Sequence, residues 1–252
     1  MSSSNILFLD IETVSNVSAF GQLTEPMKKF WKRKSTSWIK NNEETTDEHY
    51  ADLYKEKAGI FAEYGKIVCI SIGFNNIDNA TGTSSFRIKS FYGDDEKVLL
   101  NNFLALISKS FNDSTKHHFC GHNIKEFDIP YICRRAVIHQ IELPNTFQLS
   151  GKKPWEVKHL IDTLEEWKYG DYKHFVSLAL LAELLDVPTP KDDIDGSMVG
   201  HVYWEEKDIE RIRTYCQKDV VTVARIYSKM SLNPMEIQTI FPYSAKMPAF
   251  SL

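Results

Sequence analysis

The chain has 252 residues, of which 42% are hydrophobic and 25% are charged, and its formal net charge at pH 7 is −4. This length suffices for one large domain with a sizeable core, and the composition excludes a disordered or fibrous protein. The acidic balance excludes a broadly basic surface that coats duplex DNA. It does not exclude an enzyme that contacts a few nucleotides and neutralises phosphate with metal ions.

Targeting and redox signals are sparse in this sequence. No apolar run approaches ~18 residues, so we predict no membrane span, and the polar N-terminus argues against a signal peptide. Both observations favour a cytoplasmic protein. The four cysteines, at positions 69, 120, 133 and 216, contain no Cys-x-x-Cys pair, which argues against a zinc site or a disulfide framework.

The first apolar run, from Ile6 to Leu9, predicts a buried strand that delivers Asp10 and Glu12 at its C-terminal end. Side chains two positions apart on a strand share a face, so both carboxylates point the same way and Ile11 turns into the core. Two adjacent carboxylates repel each other unless a cation lies between them, and Mg²⁺ or Mn²⁺ prefers oxygen ligands. An Asp-x-Glu sequence also occurs by chance in a chain of this length. This pattern alone therefore fits both a metal site and a chance pair of acidic residues.

The next segment, 15–60, is polar and charged and predicts an insertion of helices and loops. Within it, the stretch Lys28–Lys40 mixes basic and aromatic residues and contains no acid. This combination suits single-stranded nucleic acid, with phosphates on the cations and bases stacked on the rings. An amphipathic helix with buried aromatics and solvated lysines explains the pattern equally well.

From Tyr64 onward, strand and helix patterns alternate and predict a layered α/β domain with a mixed sheet. We predict a strand over Lys66–Phe74, a hairpin partner over Ser84–Tyr92 and a short strand over His117–Gly121. Asp94 is the predicted N-cap of a helix that runs to about Ser110. The inner face of that helix is predicted to carry Val98, Leu99, Phe103, Leu106 and Ile107. Further helices are predicted at about 128–140, 176–185 and 208–230.

Two more acidic positions lie where α/β proteins place their sites. Asp128 stands at a strand-to-helix junction, although a plain N-cap before Pro130 would explain it as well. Tyr215 and Asp219 are four residues apart, on the helical face predicted to meet the sheet. A hydrogen bond between this tyrosine and this aspartate would satisfy both groups without any metal.

Taken in order, these motifs resemble the 3′–5′ exonuclease superfamily that carries four acidic residues and a tyrosine. The motifs are Asp10-Ile11-Glu12, Asn123 through Phe127-Asp128, and Tyr215-x-x-x-Asp219. The sister subgroup has a histidine where this chain has Thr214, so the chain is similar to the tyrosine type. It is most similar to bacterial stand-alone predicted exonucleases related to the proofreading domain of family-B DNA polymerases, over roughly 5–14 and 57–230.

This resemblance implies a ribonuclease-H-like fold, with a mixed β-sheet flanked by α-helices and a helical and loop insertion after the first strand. It implies one exonuclease domain over 1–232 and a tail over 233–252. It also implies two divalent metal ions, Mg²⁺ or Mn²⁺. Asp10, Glu12 and Asp219 would hold the ion that makes hydroxide from water, Asp10 would bridge to a second ion reached by Asp128, and Tyr215 would orient the attacking water.

By the same resemblance, the substrate is the 3′ end of a single-stranded nucleic acid. The residues near the last nucleotides would be Thr13, Asn123 and Phe127. Secondary candidates are His122, Asp162 and Asp195, for which roles in loops, caps and turns are equally plausible. DNA is favoured because the second motif resembles a polymerase exonuclease, and trimming, repair or proofreading in trans would follow. An exoribonuclease and a non-catalytic binding module remain the alternatives.

Overall fold

The computed structural model describes residues 5–39, 46–77, 84–171, 175–188 and 194–232. Its strands are β1 (Ile6–Ser15), β2 (Gly65–Ile77), β3 (Ser84–Tyr92), β4 (His118–Gly121) and β5 (Leu160–Asp162). Its first four helices are α1 (Glu25–Ser35), α2 (Asp47–Lys57), α3 (Glu96–Ser110) and α4 (Asp128–Ile138). The others are α5 (Thr163–Lys168), α6 (Leu178–Leu184), the short α7 (Val199–His201) with the π-helical turn Val202–Glu206, and α8 (Ile209–Met230).

The strands form one mixed sheet in the order β3-β2-β1-β4-β5. The β1–β2 and β2–β3 pairs are antiparallel, whereas β4 pairs in parallel with both β1 and β5. The predicted hairpin of β2 and β3 is therefore confirmed, with Cys69 opposite Tyr92. A mixed five-stranded sheet flanked by helices is the expected ribonuclease-H-like α/β architecture, and this prediction is also confirmed.

The central strand β1 is longer than predicted, because it runs on to Ser15. Asp10 and Glu12 therefore lie inside the second half of the strand and not at its end. A register irregularity between Glu12 and Thr13 interrupts the β1–β2 ladder directly after the acidic pair. Such bulges bend a strand and re-aim its side chains, and they are common beside active sites.

The two faces of β1 meet different helices. Leu7, Leu9 and Ile11 join a buried cluster with α3 and α4, whereas Ile6 and Phe8 pack with Val220 and Val223 of α8. This alternation follows from the two-residue period of a strand. Asp10 and Glu12 have the same parity as Ile6 and Phe8, so they lie on the α8 side of the sheet.

Two details of the predicted α3 were wrong. The N-cap is Asp95, whose side chain accepts the Val98 N–H at 3.0 Å, while Asp94 accepts a hydrogen bond from the Tyr203 hydroxyl at 2.7 Å. Val98 is 54% exposed and does not face the core. Successive residues of an α-helix are rotated by about 100°, so Val98 lies on the opposite side of α3 from Ile107, which faces the core.

Between β1 and β2, helices α1 and α2 build a small aromatic core of their own. Trp31 is fully buried, packs edge-on against Tyr54 and Tyr64, and donates its indole N–H to the Tyr50 carbonyl at 3.0 Å. The described part of Lys28–Lys40 is thus an amphipathic helix anchored by Trp31, although Phe30 remains 57% exposed. Lys40 lies outside the described residues.

Most of the remaining helix and strand ends lie within about two residues of the ends predicted from the sequence. The exceptions are β2, which runs three residues past the predicted end at Phe74, and several short elements that the hydrophobic pattern did not distinguish. These short elements are β5, α5 and α7 with its π-helical turn. The tail at 233–252 lies outside the described residues. Within the part of the chain that the structure describes, no helix combines the length and apolarity that a membrane crossing requires.

Candidate active site

The acidic pair of β1 lies beneath helix α8. One carboxylate oxygen each of Asp10 and Glu12 and the Sγ of Cys216 all lie within 4.8 Å of one another. The thiol of Cys216 also donates to the Asp10 main-chain carbonyl at 3.4 Å, which ties α8 to β1. The shared face that the sequence predicted for Asp10 and Glu12 is therefore present, with a thiol beside it.

Helix α8 brings the third motif to the same place. Asp208 caps the helix by accepting the Arg211 N–H, and Val220, Val223 and Ala224 pack on the sheet. With that face fixed, Tyr215 and Asp219 stack one turn apart next to the acidic pair. Burial, followed by the charge of Asp219, raises the pKa of the Tyr215 phenol, so the two side chains lie close enough to interact without a metal.

Asp128 reaches the site from the other side of β1. It is the first residue of α4, and Phe127 occupies the N-cap position, so the simple capping role considered for Asp128 is wrong. Its Oδ1 accepts the main-chain N–H of Ile11 at 3.2 Å. Because Ile11 lies between Asp10 and Glu12, this bond holds Asp128 against the peptide that joins the acidic pair.

Burial and neighbouring charges raise the proton affinity of the acidic pair. Burial, followed by the charges of Asp219 and Asp128, raises the pKa of Asp10 well above its usual range. Burial and the charges of Asp10 and Asp219 do the same to the pKa of Glu12. Burial also raises the pKa of Asp128 to about 7. A cluster whose members resist ionisation together is one that a bound cation would stabilise.

The donor set fits a hard divalent cation. The Oδ2 atom of Asp10 is buried, and no group of the described residues bonds to it. An unpaired buried carboxylate oxygen costs free energy unless a ligand satisfies it. Carboxylate oxygens from Asp10, Glu12, Asp128 and Asp219 are the ligands that Mg²⁺ and Mn²⁺ prefer.

A groove of about 620 Å³ runs beside the carboxylates. Glu12, Thr13 and Phe127 line it, as do Gly59 and Ile60. The groove is also lined by residues of α2 and of the stretch around α7, namely Asp52, Lys55, Glu56, Gly196, Ser197, Gly200, His201, Trp204 and Glu205. The acidic cluster therefore adjoins an open channel with both aromatic and polar walls.

Other predicted residues hold the loop before α4. Asn123 has a left-handed backbone (φ 63°), which asparagine tolerates better than most residues, and its N–H donates to Asp162 Oδ1 at 2.9 Å. Asp162 also caps α5 through the Leu164 N–H at 3.0 Å. His122 bonds to Thr163 Oγ1 at 2.9 Å and to the Val176 carbonyl at 2.8 Å. The contacts of Asp162 and His122 are thus those of a cap and a satisfied loop histidine.

The last secondary candidate, Asp195, also has a local partner. Its Oδ1 accepts the Ser197 main-chain N–H at 2.8 Å in the turn that leads to the groove wall. The hydrogen bonds from Ser197 lower the pKa of Asp195. This carboxylate shapes a turn whose neighbours Gly196 and Ser197 line the groove.

Sequence reasoning missed two residues of the site. Cys216 lies three positions before Asp219, so helical spacing could have placed its thiol near the acids. Tyr131 follows Asp128 by three positions and donates to the Gly59 carbonyl at 2.9 Å, and burial raises the pKa of its phenol. It joins α4 to a residue of the groove, a long-range contact that no local pattern reveals.

Comparison with known proteins gives one family. Residues 61–240 match the model of a predicted 3′–5′ exonuclease related to the exonuclease domain of PolB. The matched stretch contains Asp128, Tyr215 and Asp219, while β1 lies before it, and the fold supplies the contact between the two. None of the curated proteins compared with the chain matches it. The chain therefore belongs to the family of predicted 3′–5′ exonucleases related to the PolB exonuclease domain.

Proposed function

We propose that this protein is a metal-dependent 3′–5′ exonuclease that hydrolyses the 3′-terminal phosphodiester of single-stranded DNA by a two-metal mechanism. The observation that carries the proposal is the meeting of Asp10 and Glu12 on β1 with Asp128 from α4 and Asp219 from α8. Asp10 and Glu12 form a buried acidic pair, Glu12 lines an open groove, and the charges of Asp219 and Asp128 act on that pair.

Asp10, Glu12, Asp128 and Asp219 would hold two divalent cations, Mg²⁺ or Mn²⁺. When bound, such ions supply Lewis acidity and offset negative charge at the reacting phosphate. The unpaired Asp10 Oδ2 and the raised pKa values of Asp10 and Glu12 support this assignment. The Ile11 N–H would keep the Asp128 carboxylate in place while the cations bind.

Tyr215 would act as a hydrogen-bond donor that orients the attacking water. Burial and the charge of Asp219, followed by those of Glu12 and Asp10, raise the pKa of its phenol above the usual value near 10. The hydroxyl therefore stays protonated at neutral pH, which suits a donor and not a general base. Its phenol lies near the charges of Asp219, Glu12 and Asp10, as this role requires.

The groove would hold the last nucleotides of the strand. Thr13 follows Glu12 directly and lines the groove, so its main chain would meet the terminal 3′-hydroxyl. Phe127 offers a half-buried ring, packed on Tyr131 at 5.5 Å, on which a base could stack. Asn123 would contribute through the turn that positions Phe127, whose N–H donates to the Asn123 carbonyl at 3.0 Å.

The decisive experiment is a time course on 5′-labelled single-stranded DNA with Mg²⁺ or Mn²⁺, beside the variant Asp10→Ala. We expect a metal-dependent ladder that shortens from the 3′ end and disappears in the variant. Matched RNA would test the alternative of an exoribonuclease, because discrimination depends on contacts to the 2′-hydroxyl. An oligonucleotide that binds but is never cleaved would refute the proposal and favour a binding module.

A physiological role in repair or in proofreading in trans is part of the same proposal. In this role the exonuclease would act on 3′ ends that another enzyme presents. Addition of the purified protein to a proofreading-deficient polymerase would test this role. We expect fewer retained 3′ mismatches with the wild type than with Asp10→Ala, and equal numbers would refute it.

A further inference from the structure

We propose that one face of α1 is a second binding surface for single-stranded DNA, upstream of the 3′ end that occupies the groove. The inference rests on the proposed function and deepens it. Helix α1 precedes residues 61–240, so the family match does not cover this surface. The surface, called here the α1 face, consists of Met27, Phe30, Arg33 and Lys34.

The α1 face differs from the buried side of the helix. Trp31 points into the aromatic core, whereas Phe30 is 57% exposed. Met27, Phe30 and Arg33 are each three residues apart, and Lys34 follows Phe30 by four, so all four lie along one side of the helix. They line a cavity of about 610 Å³ together with Glu63 and Tyr64.

The charge of this cavity suits a phosphate backbone. Two cations, Arg33 and Lys34, face a single carboxylate, that of Glu63. Two neighbouring lysines are paired elsewhere, since Lys28 pairs with Glu25 at 2.8 Å and Lys32 with Asp47 at 2.5 Å. Arg33 is exposed and has no ion-pair partner among the residues described, which leaves its guanidinium to bind an anion.

The exposed ring of Phe30 provides the second requirement for single-stranded DNA. Bases stack on aromatic side chains without regard to sequence, while nearby cations follow the backbone. Lys34 holds its ammonium 3.9 Å from the centroid of the Phe61 ring, which fixes the cation at the edge of the cavity. An exposed ring, a fixed ammonium and an unpaired guanidinium together form a stacking and phosphate-binding site.

A short path joins the α1 face to the catalytic groove. Gly59 and Ile60 line the groove, and Glu63 and Tyr64 line the α1 cavity. Three residues span at most about 11 Å, so Ile60 and Glu63 lie within that distance. Ile60 is 56% exposed and offers apolar surface between the two cavities. A strand whose 3′ end lies at Glu12 would leave the groove over Ile60 and reach Phe30.

The test uses the double variant Phe30→Ala/Arg33→Ala in the full chain. Binding of a 5′-fluorescein DNA 20-mer is measured by anisotropy in EDTA over a range of salt concentrations. We expect the Kd to rise at least tenfold and the slope of log Kd against log salt to fall by about 0.7, the value for one lost phosphate contact on a single strand. The ratio of kcat/KM for the 20-mer to that for a trinucleotide should fall similarly.

A matched control removes another exposed ring and cation. Lys153→Ala/Trp155→Ala deletes a ring that is 63% exposed and an ammonium 5.0 Å from its centroid. That pair precedes β5 at the edge of the sheet and should leave Kd, slope and activity unchanged. The conservative pair Phe30→Trp/Arg33→Lys should restore binding, which separates a binding role from a folding defect.

The outcomes separate this inference from the proposed function. An unchanged Kd and an unchanged salt slope in the double variant would refute DNA binding by the α1 face, even if the wild type degrades DNA. Binding that depends on Phe30 and Arg33 would support it, even if no DNA is cleaved and the proposed activity fails. A wild type that does not bind the 20-mer would overturn the inference.

Discussion

Asp10→Asn should make the metal-free protein more stable, although it removes a group central to the proposed site. Asp10 and Glu12 place carboxylate oxygens within 4.8 Å, and Asp219 and Asp128 add further negative charge. An asparagine keeps the shape of the side chain and removes the charge. Its amide can donate to a neighbouring carboxylate, so the substitution leaves no buried polar group unsatisfied.

The magnitude follows from the geometry. Two ionised carboxylates about 4.8 Å apart repel by about 3 kcal/mol at an effective dielectric constant near 20. The raised pKa of Asp10 means that protonation already relieves part of this repulsion. We therefore expect a gain of about 1–2 kcal/mol, which corresponds to a rise in Tm of roughly 2–8 °C for a domain of this size.

Calorimetry in EDTA and in excess Mn²⁺ tests whether Asp10→Asn raises or lowers the Tm. Mn²⁺ at 100 times its Kd would stabilise the wild type by about 2.7 kcal/mol and would stabilise Asp10→Asn much less. Asp52→Asn, which removes an exposed carboxylate from α2, is the control. Its Tm should equal that of the wild type both in EDTA and in excess Mn²⁺. A lower Tm for Asp10→Asn in EDTA, or equal stabilisation of both proteins by Mn²⁺, would refute the reasoning.

Three further predictions concern catalysis, folding and pH. Tyr215→Phe should lower kcat on DNA by about 10²-fold with little change in KM, because it removes only a donor that orients water. Arg135→Met should lower the free energy of unfolding in urea by about 3–5 kcal/mol, because the buried Glu96 carboxylate loses bonds from Arg135 Nε at 2.9 and 3.1 Å. Burial lowers the pKa of His159, so its contribution to stability is complete above its unfolded pKa of about 6.5 and is lost as the pH falls. This group should therefore lower the free energy of unfolding from pH 7 to 5 by at most about 1.4 kcal/mol per pH unit, against the opposite effect of the raised carboxyl pKa values of Asp10, Glu12 and Asp128. The difference in unfolding free energy between the wild type and His159→Gln at each pH isolates the histidine's share.

Each of these has its own control or contrary outcome. A Tyr215→Phe variant that retains full kcat would show that the hydroxyl does not touch the reacting water. Arg134→Met, at an exposed position on the same helix, should cost less than about 0.5 kcal/mol. An identical pH dependence in the wild type and His159→Gln would mean that other groups control the acid sensitivity.

The local sequence was enough to identify most elements and the acidic positions. The alternation around Asp10 and Glu12 placed both carboxylates on one face, because a strand has a two-residue period whatever surrounds it. Tyr215 and Asp219 were placed together because one helical turn brings residues four apart into register. These are properties of the backbone, so neighbouring residues suffice to predict them.

Tertiary structure decided what those residues meet. The bond from Ile11 to Asp128 joins residues 117 positions apart, and the Cys216 thiol reaches the Asp10 carbonyl across 206 positions. Such contacts depend on which helix packs on which face of the sheet, and no local period encodes that choice. The same holds for Trp31, since only the packing of α1 against Tyr54 and Tyr64 buries its ring and leaves Phe30 exposed.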